Sequence, residues 1–134
     1  TWKVPVEEGL SWQDVEQTMK FVASEHGIAR VGELPLHKEV EARSGEDYRF
    51  VKVYMFCDAL TAAKLMDYSD AYSARLPCRI TLLEDRQGEL WLIAPDMDLM
   101  IHGGAPLPPD LKAAALRVKE VILDIMRRGA AGRF

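Results

Sequence analysis

Residues Ala74 to Ala94 read ARLPCRITLLEDRQGELWLIA, and this stretch decides the fold. Two β-prone segments, about 77 to 84 and 89 to 94, flank the polar turn Asp85-Arg-Gln-Gly88. Apolar runs of this length, parted by a glycine-bearing turn, predict a β-hairpin. Pro95 closes its second strand. Pro77 opens the first, and Cys78 stands at the hairpin's mouth. Period-two alternation puts Cys78 on the same sheet face as Ile80 and Leu82, and Arg79 on the opposite one.

Upstream of the hairpin, Tyr48 to Cys57 predicts a long strand with apolar residues on both sides. Val51, Val53, Met55 and Cys57 share one face; Tyr48, Phe50, Tyr54 and Phe56 share the other. A strand apolar on both faces is central, or meets a partner on its outer side. Asp58 is a good N-cap for a short helix over about 59 to 67, and Asp67 to Arg75 reads as a loop. Ile28 to Leu34 predicts a further strand. Pro35 interrupts it, after which Leu36, Val40 and Ala42 alternate with polar residues as a strand would. Ser44 to Asp47 is a turn.

The two ends of the chain supply the main helices. Ser11 followed by Asp14 has the form of a capping box. Trp12, Val15, Met19 and Val22 then recur at helical spacing up to a Gly27 stop, so a helix is expected over about 11 to 26. Asp110 to Arg128 predicts the final helix, ended by Gly129. Leu111, Ala115, Val118, Ile122 and Ile125 mark one face, and Leu116, Val121, Leu123 and Met126 widen it beyond the usual arc. Asp96 to Ile101 reads as a helical turn and Gly103 to Pro109 as a loop. Trp2 to Val6 is a short first strand, held to an edge by Pro5. The order is β-α-β-β-α-β-β-α: an α+β fold with a mainly antiparallel sheet and helices packed on one face.

Bulk properties narrow the function classes. The chain has 134 residues, 49% of them hydrophobic and 28% charged, which fits one domain with a real core. Its net charge is -4, the wrong sign for a nucleic-acid partner, since phosphate recognition needs clustered basic residues. No apolar run approaches the roughly 18 residues of a membrane span. Cys57 and Cys78 are too few for a disulfide scaffold. They fit the cytoplasm better than export, although a start at Thr1 leaves room for a trimmed leader.

Several marks stand in order: Met55-Phe-Cys-Asp58 before a small-residue helix, Leu76-Pro-Cys-Arg79, Glu84-Asp-Arg-Gln-Gly88 and Ala94-Pro-Asp96. Together they resemble the family called domain of unknown function 302. The upstream helix and strand from Ser11 agree, so the resemblance covers most of the chain. It implies a small bacterial-type α+β domain with a TATA-binding-protein-like arrangement of sheet and helices, and a homodimer. It brings no catalytic residues with it, and fold alone would not license a function.

Four groups of residues are candidates for chemistry. Cys78 is either a small core residue or a thiol at a sheet edge, with Arg75 and Arg79 near enough in sequence to lower its pKa. Cys57, beside a helix N-terminus, poses the same choice. The two cysteines bracket one helix and loop, so a redox pair or a shared soft-metal site is open. Met97, Met100 and His102 form a soft-ligand cluster suited to copper(I) or an axial haem position, or else they anchor a turn. His26 suits its helix end as a cation, and His37 alternates outward from its strand. The aromatic face of Tyr48, Phe50, Tyr54 and Phe56, joined by Trp91, either packs under helices or meets a second subunit or flat ligand.

No paired carboxylates, phosphate loop or nucleophile elbow is present, so the sequence leans away from an enzyme. The leading expectation is a non-catalytic small-ligand-binding or assembly module. Its pocket lies between the sheet and the Tyr68 to Arg75 loop, formed by Cys78, Arg79, Tyr72, Arg75 and Tyr54. The expected homodimer uses the aromatic strand face or the over-wide final helix. The alternatives are thiol or sulfur redox chemistry at Cys78, and a haem or copper protein using His102 with methionine or cysteine ligands.

Overall fold

The computed structural model describes residues 1–134. Its five strands are β1 (Trp2–Pro5), β2 (Ala29–Leu34), β3 (Val51–Cys57), β4 (Cys78–Glu84) and β5 (Leu90–Ala94). They form one sheet in the order β1-β5-β4-β3-β2, antiparallel at every pairing. The helices are α1 (Trp12–Glu25), α2 (Leu36–Ser44), α3 (Ala59–Tyr68), α4 (Met97–His102) and α5 (Pro109–Ala131), with a 3-10 turn over Asp70–Arg75. The class is α+β, as the sequence predicts. No helix is long and apolar enough to cross a membrane.

The hairpin forms where it is expected, and its turn shows why. Asp85 accepts the backbone N–H groups of Gln87 (2.9 Å) and Glu89 (3.0 Å) and the Trp91 indole N–H (2.8 Å). Gly88 takes φ +85°, which costs a side-chain-bearing residue more. In α1, Ser11 Oγ accepts from Asp14 N, and the Asp14 carboxylate accepts from Ser11 N at 2.9 Å. That is the full capping box.

One expected strand continuation is a helix instead. Leu36 to Ala42 form most of α2, not an extension of β2. Leu36 and Val40 are four apart, so they satisfy the strand and the helix period alike, and alternation could not separate the two. Glu39 and Arg43 stand one turn apart, and Gly45 at φ +75° ends the helix. His37 therefore does not alternate outward. Its ring lies 4.7 Å from that of Phe50, and its Nδ1 is 3.0 Å from the Val51 carbonyl oxygen. The segment expected as a loop after α3 is also more ordered, since helix and 3-10 turn together run from Ala59 to Arg75.

The core lies between the sheet and the layer of α1, α3 and α5. Tyr54, Phe56, Ile80, Leu82, Leu92 and Ala94 face Val15, Met19, Val22, Leu65 and the inner side of α5. Burying a Leu, Ile or Val side chain is worth about 1.5–3 kcal/mol, so this face supplies most of the driving force. Tyr54 and Phe56 have no exposed surface, which takes these two rings out of reach of a second subunit. Trp91 does not join their face. Trp91 pairs with Leu83, and Leu83 with Val51, so all three point to the opposite face. Most of the wide stripe of α5 is likewise consumed within the chain, since Leu111, Ala115, Val118, Val121, Ile122, Ile125 and Met126 are all buried. Of these two stripes, Tyr48 stays 40% exposed and Phe50, Leu116 and Leu123 stay half-buried.

Candidate functional site

A cavity of about 460 Å³ opens at the end of the sheet where β4 begins and β5 finishes. The segment Ala74 to Arg79 forms one wall and Ala94 to Met97 another, with Val53, Met55 and Met100 among the apolar lining. Its size falls in the range of small-molecule sites, about 300–1,000 Å³. Pro77 and Pro95 fix the two chain directions at its mouth, since proline holds φ and offers no N–H to a strand ladder.

Of the residues singled out in the sequence, Cys78, Arg75 and Arg79 all line this cavity, with Met97 and Met100 opposite. Arg75 and Arg79 are exposed, and neither takes part in an ion pair. Tyr72 is one place removed. With Tyr68, Arg75, Leu99 and Met100 it borders a more open groove that reaches Gly103 and Gly104. Tyr54 lies in the core, not in the cavity. His102 is exposed at the end of α4. Two residues after Met100, it stands on the other side of the helix, so His102 and the two methionines do not converge.

The thiols behave opposite to the expectation of activation. Burial pushes the Cys78 thiol up to about 11, with the neighbouring Cys57 adding to the rise. In the register Cys78 sits opposite Phe56 on the helix-covered face, and Arg79 sits opposite Met55 on the other. The guanidinium is therefore turned away from the sulfur. Burial also raises Cys57, and the Asp58 carboxylate adds to it. Burial alone would raise Asp58 too, but the Arg117 guanidinium at 2.7 Å and the N–H of Thr61 hold its carboxyl low. No group of three or more His, Cys, Asp or Glu is placed to hold a metal ion.

Sequence reasoning missed part of the lining. Leu34, Val53, Met55 and Ile122 come from three elements that meet only in the folded chain. It also missed a charged cluster between α1 and the β2–β3 pair, on the helix-covered face. Glu16 on α1 lies 2.7 Å from Lys52 on β3 and 2.9 Å from Lys20, and Lys52 lies 3.3 Å from Glu33 on β2. The Tyr54 hydroxyl is buried beside them without a hydrogen-bond partner. Burial first, then the Glu16 and Glu33 carboxylates, drive its phenol far above the ordinary tyrosine range. Lys52 as a strand residue gives no hint of this, because its partners are 36 and 19 positions away.

Fold and site together define a small α+β domain: one antiparallel sheet, helices on one face, and an apolar cavity with a cationic rim at the sheet's end. Residues 2–128 match the family model described as domain of unknown function DUF302, and the chain belongs to that family. Among solved structures it is similar to one described as an uncharacterized conserved protein DUF302 from Bacillus stearothermophilus. The two share 12% identity, with a TM-score of 0.79 and 95% of each chain covered. At that identity the likeness speaks for the fold alone. A comparison with curated proteins finds no match.

Proposed function

We propose that this protein is a non-catalytic binding module for a small amphipathic molecule, one with an apolar body and a single anionic group. The observation that carries the reading is the 460 Å³ cavity, walled mainly by aliphatic and thioether side chains, with two unpaired arginines at its edge against one carboxylate, Asp96. Apolar walls bind through area removed from water. A guanidinium at the rim orients a carboxylate or sulfonate by paired N–H donors. The raised Cys78 thiol favours binding over sulfur redox chemistry, because a neutral thiol is a poor nucleophile at neutral pH. His102, exposed and turned from the cavity, gives a haem no axial ligand there.

The test uses anilinonaphthalene sulfonate as a probe and dodecanoate as its competitor, with the full chain. The expected result is saturable binding with one probe per chain, displaced by dodecanoate. Arg75→Ala and Arg79→Ala should each weaken it about tenfold or more, the order of one charge-assisted hydrogen bond. Met97→Trp, which fills the cavity, should abolish it. Absence of saturable binding, or binding indifferent to all three substitutions, overturns the reading. Near-ultraviolet circular dichroism shows that each variant retains its packing.

A further inference from the structure

Beside the large cavity lies a second, much narrower hollow, between the C-terminal end of β3 and α4. It has room for about 10 Å³, roughly one water-sized sphere. Four sulfur-bearing side chains line it: Cys57, Cys78, Met97 and Met100. The fold brings them together from three places. Cys78 starts β4 opposite Phe56 on the helix-covered face, and Cys57, the last residue of β3, borders the same hollow from the strand end where the chain turns into α3. Met97 and Met100 are three apart on α4, so they share one side of that helix. Both cysteines are free thiols. Most of the remaining lining is apolar, from Phe56, Ala62, Leu65 and Val118. Asp58 also borders the hollow, but its carboxylate is engaged by Thr61 N–H and Arg117.

A void of one atom's size, with four sulfur-bearing side chains in an otherwise mostly apolar wall, is poorly suited to water, which needs two or more good hydrogen-bonding partners. It is poorly suited to zinc, calcium or magnesium as well, since those ions call for more nitrogen, oxygen or thiolate donors than converge here. Thiolate with thioether is the donor set that selects a soft monovalent ion. We propose that Cys57, Cys78, Met97 and Met100 form a binding site for one copper(I) ion. On binding, each cysteine that ligates exchanges its S–H bond for an S–Cu bond and releases the proton to solvent. The methionines donate sulfur lone pairs without proton loss, and no electron is transferred. The ion's positive charge compensates the thiolate, whose charge the apolar wall otherwise penalises. This ligand set contains no histidine.

The proposal is tested by supplying copper(I) under argon with ascorbate, in competition with bathocuproine disulfonate. One ion per chain should be withdrawn from the competitor, with about one to two protons released per ion. X-ray absorption should show sulfur-only ligation. Cys57→Ser and Cys78→Ser should each weaken binding at least about 100-fold, and Met97→Leu or Met100→Leu about tenfold. His102→Ala should leave it unchanged. Failure to withdraw copper, a nitrogen ligand in the spectrum, or wild-type affinity in folded Cys57→Ser overturns the proposal. Cys57→Ser carries the decision if Cys78→Ser does not fold. The probe displacement at the larger cavity does not involve Cys57, so the two readings fail separately.

Discussion

Replacing Glu16 by glutamine should flatten the acid limb of the stability profile. Burial alone would raise the Glu16 carboxyl, but hydrogen bonds from Lys52 and Lys20 outweigh it and hold the group at about 2, against an ordinary 4.5. A depressed folded-state pKa contributes stability that is fully present above the unfolded value. That stability drains away as pH falls from about 4.5 through about 2. At 1.36 kcal/mol per unit the shift sets a ceiling of about 3 kcal/mol. Lys20 is 40% exposed and Glu33 27%, so water screens part of the cluster, and about 1–2 kcal/mol is the expected contribution. The assay is urea unfolding of wild type and Glu16→Gln at intervals from pH 7 to pH 2. Wild type should be more stable at pH 7 by at least that amount, because the variant also leaves Lys52 short of a partner. The difference should shrink below pH 4. Parallel profiles across that range would refute the reasoning, since they would mean that α1 is held to β2 and β3 by packing alone.

Two further outcomes follow from the same packing. A Cβ built on Gly129 meets Met19 Cγ at 2.7 Å, so Gly129→Ala should destabilise by about 1 kcal/mol, overpacking outweighing the gain in helix propensity. In a Met19→Ala background the same change should stabilise, and a cycle of denaturant curves reads the reversal of sign directly. Cys78, with its thiol pushed up from 9.0 to about 11, should react with iodoacetamide at pH 7 roughly 100-fold more slowly than a free thiol. Mass spectrometry over a time course measures this, and alkylation at the free rate would restore the sulfur-chemistry reading.

Much of the fold is legible in the sequence because local signals agree with tertiary demand. The hairpin turn carries its own chemistry in Asp85 and Gly88, α1 carries its capping box, and β3 announces its central place by being apolar on both faces. Where the signals were degenerate the sequence misled. Leu36 and Val40 fit two periods at once, and α2 buries none of its residues, so no apolar stripe was there to choose between them. Trp91 went to the wrong face because hairpin register depends on how many residues the turn absorbs. The final helix reads as having a spare apolar flank because its packing on α1, α3, α4 and β5 leaves no local mark in the sequence. A stripe too wide for one contact is also what a helix packed on several sides requires.

The candidate sites divide along the same line. Arg75, Cys78 and Arg79 lie within five residues, so their common cavity could be anticipated from one segment. The sulfur-lined hollow could not, because it is made by the meeting of a strand end, a hairpin start and a six-residue helix. Met97 and Met100 were visible as soft donors, but sequence proximity paired them with His102, and helical geometry turns that imidazole away. Cys57, 40 positions before Met97, takes its place. For a site lined by scattered sulfur, the informative feature is thus which element ends the fold brings together, not the distance between donors along the chain. Cys78 belongs to both hollows, so an ion held in the narrow one would fix the side chain that forms part of the wall of the wide one. The two binding readings share a wall but not a chemistry, and that shared wall is where coupling between them should be sought.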